Sequence, residues 1–438
     1  MKTEIHFLNH SSLLIHYNGQ FLLTDPFFSK PAFETWLPVP PTYINPAYLL
    51  AISKSVKYFG ILISHGHDDH CDDDLLKLFK HCPVFITKFN SPGIRNRLRR
   101  IGFKEIYEVN SESTKIGGFE IFGNIDFDFS PDDSVQIINT PDLTVIHAND
   151  CWQPYTDSYV KQLQQQIKKK AILASQVAIA DCFPLNYNNY SSEEKARLYK
   201  ERTLKHVNSV YENAIKLSVK CVLHYAGHVK VFNGNDSILN LTGFVERHLL
   251  KTVFSESCGV ELLDALPGEK IIDFKVIHPF GERFYSEIVL KEASKDFWIK
   301  YGRLKYKNAK IKLSQESRAG LLEKFLKEFK QYVLERAHAN NFRKEILNSR
   351  IIFRVGDDLC SVCEFSQNIE SSRVDLEVIW PIEIADQVLT GIINFEASYI
   401  GFLGTFSVHP PDLYNAHATR WLSIFGYVWQ RNITSKDS

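Results

Sequence analysis

Net charge, membrane-length apolar runs and paired cysteine motifs are all missing from this chain of 438 residues. Lys and Arg number 51 and Asp and Glu number 51, so the protein has no overall field to draw nucleic acid or an anionic membrane. The local basic clusters, Lys168-Lys169-Lys170 and Arg95 to Arg100, read as solvated helix faces. No apolar stretch reaches the length of a bilayer span, and Met1-Lys2-Thr3-Glu4-Ile5-His6 has no apolar signal core, so a cytoplasmic protein is expected. The eight cysteines are scattered. The pair Cys360 and Cys363 is a C-x-x-C with no second pair beside it, which argues against a zinc ribbon or redox centre and leaves a plain strand. Repeats and low-complexity segments are also missing. What remains is 44% hydrophobic and 23% charged, the balance of a globular chain, and long enough for two domains.

Against that bland background, Ile63-Ser64-His65-Gly66-His67-Asp68-Asp69-His70 stands out. His65 and His67 are two residues apart and can converge on one cation from an extended segment or the loop after it. Asp69 and His70 follow and can face a second cation beside the first. Imidazole together with carboxylate suits zinc, iron or manganese, whereas calcium takes oxygen almost exclusively. The apolar run Tyr58 to Ile63 before the motif predicts a buried strand, and Asp72-Asp73-Asp74 followed by Leu75-Leu76 predicts an acidic helix start. The motif therefore reads as a two-metal loop between strand and helix.

Around it, Asn18-Gly19 between apolar runs predicts a hairpin. Pro31 to Pro46, rich in proline and aromatics, predicts an ordered loop that walls a pocket or only packs. Strands are expected at 84–87, 106–109, 135–138, 143–147 and 176–180, and helices at 91–98, 155–172 and 191–217, the last opened by a cap at Ser191-Ser192-Glu193-Glu194. From about Lys270 the signals change to strands and helices without ligand spacing, at 286–290, 314–333, 351–355, 373–379 and 395–406. A terminal helix follows, from Ala416 to Trp429. This predicts a division into 1–269, a metal-binding catalytic domain, and 270–438, an α+β accessory domain.

Asn9-His10-Ser11-Ser12-Leu13-Leu14-Ile15, Leu22-Leu23-Thr24-Asp25-Pro26 and Ser64 to His70 together resemble the metallo-β-lactamase-fold superfamily. The likeness is to the intracellular branch that includes ascorbate-6-phosphate lactonase and N-acyl-phosphatidylethanolamine phospholipase D. The combination of these strings with the terminal His409-Pro410-Pro411-Asp412-Leu413-Tyr414-Asn415 leading into Ala416 to Trp429 is more faintly similar to the non-Rieske portion of CMP-N-acetylneuraminate hydroxylases. The resemblance implies an α/β fold: a four-layer αββα sandwich, here with the C-terminal α+β domain appended, and a metal site at one edge. It also implies further ligands. Asp150, closing Thr144 to Cys151, would bridge both metals, and His228 would be the last ligand, with His224 as second choice. The family's third histidine is absent, because Ser130-Pro131-Asp132-Asp133-Ser134 stands in its place. Asp132 or Asp133 could replace it, His147 could fill the role from the next strand, or one metal could be held less tightly.

The expected ligand set is thus His65, His67, Asp69, His70, Asp132, Asp133, Asp150 and His228, with Asp69, Asp150 and His10 nearest the chemistry. Two divalent ions are expected, zinc first, with iron or manganese as alternatives. Such a pair would turn a bridging water into hydroxide and hydrolyse a small-molecule ester, phosphoester, lactone or amide. Exchange of an imidazole for a carboxylate keeps a diiron oxygenase or redox enzyme open, and a non-catalytic metal-binding protein is the third option. The expected partner is a small molecule, with no nucleic acid and no integral membrane association. Assembly as a homo-oligomer stays open.

Overall fold

The computed structural model describes residues 1–27, 31–38, 46–125, 133–179, 181–227, 229–231, 250, 252–254, 259–277, 311–340, 344–366, 373–410 and 416–434. Asp132, His228 and the strand expected at 286–290 lie outside the described residues.

Along the chain come β1 (Glu4–Asn9), β2 (Ser12–Tyr17), β3 (Gln20–Thr24), β4 (Trp36–Pro38), α1 (Pro46–Ser55), β5 (Tyr58–Ile63), α2 (Asp73–Leu76), β6 (Val84–Thr87), α3 (Gly93–Ile101) and β7 (Ile106–Val109). Next are β8 (Thr114–Ile116), β9 (Phe119–Ile125), β10 (Ser134–Asn139), β11 (Thr144–Asn149), α4 (Asp157–Gln166), β12 (Ala171–Gln176), α5 (Ser192–Lys216), β13 (Cys221–Tyr225) and β14 (Val229–Val231). Three short strands follow, β15 (Glu261–Leu263), β16 (Lys270–Ile272) and β17 (Lys275–Ile277). The C-terminal part holds α6 (Gln315–Asn340), β18 (Arg350–Val355), β19 (Leu359–Glu364), β20 (Val374–Trp380), α7 (Ile382–Leu389), α8 (Phe395–Tyr399), β21 (Thr405–His409) and α9 (His417–Thr434).

Two sheets make the N-terminal sandwich, ordered β17-β16-β1-β2-β3-β5-β6-β7 and β15-β13-β12-β11-β10-β9-β8. Side chains alternate along each strand, so one face of each sheet meets the other sheet and the opposite face meets helices. Ile5, Phe7, Leu13, Ile15 and Leu22 point between the sheets, against Ile121, Ile138, Val145, Ile172 and Leu223. Their neighbours Leu8, Leu14 and Leu23 point outward, against Leu49, Leu75, Leu98 and Ile101 of α1 to α3. On the far side, Ile137, Ile146 and Leu173 meet Val160, Leu163, Val207 and Val210 of α4 and α5. The layers are α, β, β, α, as the resemblance implies.

Several local expectations hold with small shifts at their ends. Asn18 and Gly19 both have positive φ, 51° and 71°, between Tyr17 and its partner Gln20. That is the two-residue turn whose twist suits a hairpin. Ser191 and Glu194 form a reciprocal capping box at α5, and Cys360 and Cys363 lie on the strand β19. The helix expected at 155–172 is shorter, ending at Gln166, and the strand expected at 176–180 is displaced: it runs Ala171–Gln176 and shares only Gln176 with the expected range. The cause is the run Ala171-Ile172-Leu173-Ala174, which pairs in parallel with both β11 and β13 and is buried on both faces.

The expected boundary at residue 270 passes through the first sheet, because β16 pairs with β1, Ile5 opposite Ile271. Beyond it, β19-β18-β20-β21 form a separate four-stranded sheet covered by α6 and α9. The apolar core of this unit, with Phe325, Phe353, Trp380, Phe395 and Trp429, also contains Phe27, Phe33 and Trp36 from the N-terminal chain. The segment around β4 is therefore walled into both units.

Candidate metal centre

The site lies at the edge of the sandwich where β1, β3, β5 and β11 end. His10, Asp25 and Asn149, just past or at those ends, have φ of 30°, 37° and 40°. This left-handed region is uncommon for residues other than glycine. Such bends turn the chain off the sheet and aim its side chains across the edge. Asn149 is held there by its own amide, which donates to Ser134 O at 2.8 Å, while its Oδ1 accepts from Asp150 N at 2.6 Å. The loop after β5 is clamped by Arg97 of α3, which donates to Gly66 O (2.5 Å), Cys71 O (2.9 Å), Asp68 (2.8 Å) and Asp73 (2.6 Å).

Three overlapping groups of His and Asp side chains meet here: His10, Asp69 and His70; His65, His70 and Asp150; and His65, His67 and Asp133. His70 Nε2 is 3.3 Å from Asp150 Oδ1 and 3.6 Å from Asp69 Oδ2. His65 Nε2 is 2.8 Å from His67 Nδ1, 3.6 Å from Asp150 Oδ2 and 3.8 Å from Asp133 Oδ1. Asp150 therefore turns one oxygen to each histidine, the posture a bridging carboxylate requires. His10 Nε2 meets Asp69 Oδ2 at 3.1 Å.

Asp25, which the sequence reading did not assign to the site, organises the ligands from behind. It is fully buried. Its Oδ1 accepts from Ser64 N (2.7 Å) and its Oδ2 accepts from Ser64 Oγ (2.6 Å) and from His70 Nδ1 (2.8 Å). Since the Ser64 hydroxyl proton goes to Asp25, the 2.9 Å contact of Ser64 Oγ with His65 Nδ1 requires the imidazole to donate. Both His65 and His70 then carry hydrogen on Nδ1, which leaves Nε2 as the nitrogen facing the site, the one a metal ion would take in place of a proton.

Four buried polar atoms at this edge have no hydrogen-bond partner: His10 Nδ1, Asp69 Oδ1, His70 Nε2 and Asp150 Oδ1. Orphaned buried groups are costly, and all four belong to residues of the His/Asp groups that converge here. The electrostatics agree. Burial would keep His70 neutral, yet Asp150 and Asp69 hold it well above the ordinary histidine value. Asp150 and Asp69 lie below the usual carboxylate range despite their burial, chiefly through His70. Burial and the neighbouring His70 and His67 push His65 the other way, well below the ordinary value. The pocket asks for positive charge, and a cation answers that demand with ligands of nitrogen and oxygen only; the three groups contain no cysteine. The donor set fits divalent transition metals.

Of the expected residues, His65, His67, Asp69, His70, Asp133 and Asp150 come together, with His10 beside them. His147 belongs to none of the groups; it lies between the sheets behind the site, where its ring nitrogens meet Gln136 Oε1 (3.1 Å) and the Tyr225 hydroxyl, with Nε2 also 3.5 Å from Asp25 Oδ2. His224 belongs to none of the groups formed by described residues. From the C-terminal unit comes an unexpected neighbour: Glu396 Oε1 lies 3.5 Å from His67 Nε2. Burial lifts the Glu396 carboxyl to about 7 against the pull of His67 and Tyr427. Burial lowers His67, but Glu396 and the aspartates outweigh it and bring the ring to about 9.

Residues 4–166 match the family described as "Beta-lactamase superfamily domain". Over that stretch the chain carries the metallo-β-lactamase fold, with the His/Asp cluster at the edge of its sandwich. A Mycobacterium tuberculosis protein named as a Rieske 2Fe-2S iron-sulfur protein is 28% identical over 104 residues, 23% of this chain and 19% of the relative. The match thus spans about a fifth of that protein's length. Among solved structures, Igni18, a metallo hydrolase of Ignicoccus hospitalis, aligns with a TM-score of 0.40 at 15% identity, over 62% of this chain and 98% of its own. CmlA, a diiron β-hydroxylase of Streptomyces venezuelae, aligns with a TM-score of 0.40 at 16% identity, over 60% of this chain and 53% of its own. Among the described residues no helix is long and apolar enough to cross a membrane.

Proposed function

We propose that this protein is a binuclear-metal-dependent hydrolase acting on a small-molecule ester, phosphoester, lactone or amide. The observation that carries the reading is Asp150, whose two oxygens face His70 and His65 while buried atoms of His10, Asp69 and His70 are left without hydrogen-bond partners. Two divalent cations, when bound, would supply Lewis-acid polarisation of a carbonyl or phosphoryl oxygen and a water acidified toward neutrality. His65, His67 and Asp133 would hold one cation, and Asp69 and His70 the other, with Asp150 shared. The Asp69 carboxylate is the acceptor that would orient an attacking water. His10 steadies Asp69 through their 3.1 Å contact. His67, with 36% of its side chain exposed, marks the side from which a substrate would approach. Phe33 lies beside it, ring centroids 6.5 Å apart.

A second reading, a diiron oxygenase or redox enzyme, is favoured by Asp133. A carboxylate in the third position beside two imidazoles makes the donor set harder, which suits oxidised iron better than zinc. Protein purified without added metal should carry close to two metal equivalents per chain. Under the hydrolase reading it should cleave members of a panel of chromogenic esters, phosphoesters, lactones and amides and consume no oxygen. Iron content with a visible absorption band and oxygen uptake, and no hydrolysis, would replace it with the second. Absence of any bound metal, even after reconstitution with zinc, iron or manganese, would defeat both.

A further inference from the structure

Glu396 is a carboxylate buried to 2% exposure; unlike the buried Asp386 and Asp375 of the same unit, which pair with Arg318 and Arg373, its ion-pair contact is a histidine of the N-terminal chain, His67. Its surroundings are built. Asn394 caps α8 by accepting from Ala397 N at 3.0 Å, and the Tyr427 hydroxyl of α9 donates to Glu396 Oε2. The turn after α8 is stitched to the segment around β4, since Thr35 Oγ1 donates to Gly401 O (2.7 Å) and Trp36 Nε1 donates to Ile400 O (2.8 Å). Gly401 approaches Phe33 O so closely that an added Cβ would sit 2.3 Å from it. These contacts fix the one remaining oxygen, Oε1, in ion-pair contact at 3.5 Å with His67 Nε2.

The ring of His67 faces two ways. Nδ1 points to the volume shared with His65 Nε2 and Asp133, and Nε2 points away from it, to Glu396. A ligating imidazole keeps its hydrogen on the nitrogen opposite the cation, and an acceptor for that hydrogen fixes the tautomer, sets the ring plane and raises the basicity of the ligand. Asp25 plays this part for His70, from within the sandwich. Among the described residues, the carboxylate that faces His67 Nε2 in this way is Glu396.

We propose that Glu396 is the positioning residue for His67, supplied by the C-terminal unit, so that filling of the His65, His67 and Asp133 position depends on that unit while the deeper position does not. The inference rests on the binuclear reading above. Tyr427 acts one step further out, by holding the carboxylate.

The test titrates metal-free full-length protein with Zn2+ and, separately, anaerobically with Fe2+, against a competing chelator. Wild type, Glu396→Gln, Tyr427→Phe, His67→Ala and the double variant His67→Ala with Glu396→Gln are compared, with circular dichroism to confirm folding. The glutamine variant keeps shape and a carbonyl acceptor but removes the charge. The expected result is a loss of about 10-fold to 100-fold at one equivalent in Glu396→Gln, a smaller loss in Tyr427→Phe, and an unchanged second equivalent. In the His67→Ala background the Gln substitution should have no further effect. Wild-type affinity at both equivalents in Glu396→Gln overturns the proposal. So does equal weakening of both equivalents, which marks a general structural effect, or a further loss in the double variant, which makes Glu396 a ligand in its own right. Wild-type protein that takes up neither metal overturns the binuclear reading and this inference with it, whereas failure confined to the Glu396 variants leaves that reading standing.

Discussion

The two halves of the candidate centre are supported in different ways. Asp69 and His70 lie deep, with side chains 6% and 0% exposed, and their anchor is Asp25, itself fully buried at the end of β3. His67 sits at the mouth, and the carboxylate behind it belongs to a helix more than three hundred residues further along the chain. The deep half is made by the strands that make the sandwich, so folding and ligand placement there are one event. The open half depends on a contact between units. A site of this design keeps one position preorganised and exposes the other to whatever binds against the C-terminal face.

Asp25→Asn is the strongest way to break that contrast. An amide nitrogen would meet donors where three hydrogen bonds now converge on the carboxylate. Breaking so buried a charged network is expected to cost about 3–5 kcal/mol in the metal-free protein, with loss of metal at the His70 position. Urea unfolding and elemental analysis check both. Should the variant keep wild-type stability and metal, the deep half is not built around Asp25. Next in size, His67→Ala should abolish one metal equivalent while metal-free stability changes by less than about 1 kcal/mol, because the side chain is partly exposed. Unchanged metal content would remove His67 from the ligand set. Asp133→Asn, finally, should weaken one equivalent by about tenfold or more, the scale on which even outer partners act, and Asp133→His should shift preference toward zinc. Asp132→Asn and His147→Ala are the comparisons, and a metal loss confined to His147→Ala would overturn the assignment of Asp133.

The ligand loop, which serves both halves, was largely legible in the sequence. His65, His67, Asp69 and His70 fall within six positions, and the apolar strand and acidic helix start around them are local signals that the fold keeps. The four layers were legible through resemblance more than through periodicity, since parallel strands such as β12, buried on both faces, show no alternation to read. Asp25 lies in the Thr24-Asp25-Pro26 turn, but nothing local marks it as an anchor, because its partners Ser64 and His70 lie about forty residues away and no pattern links them. Glu396 had no signal at all. It is one glutamate in an aromatic segment, and its role depends on how two units pack, which sequence spacing does not encode. The boundary expected near residue 270 cuts the first sheet for a related reason: β16 is a short strand placed by pairing with β1, and β17 follows it by pairing with β16.

The segment carrying Phe33 and Trp36 has a consequence for how this protein can change over time. Both side chains are at most 3% exposed, inside an apolar core that is otherwise mainly C-terminal, and burial of one large apolar side chain is worth roughly 1.5–3 kcal/mol. The C-terminal unit is therefore not a module that recombination could exchange freely. A replacement would have to present matching sockets for Phe27, Phe33 and Trp36, and a sandwich released from it would expose a greasy face next to its own ligand loop. Inheritance should keep the two pieces together: substitutions near β4 and near α8 belong to one packing problem, and they should be accepted or rejected as pairs.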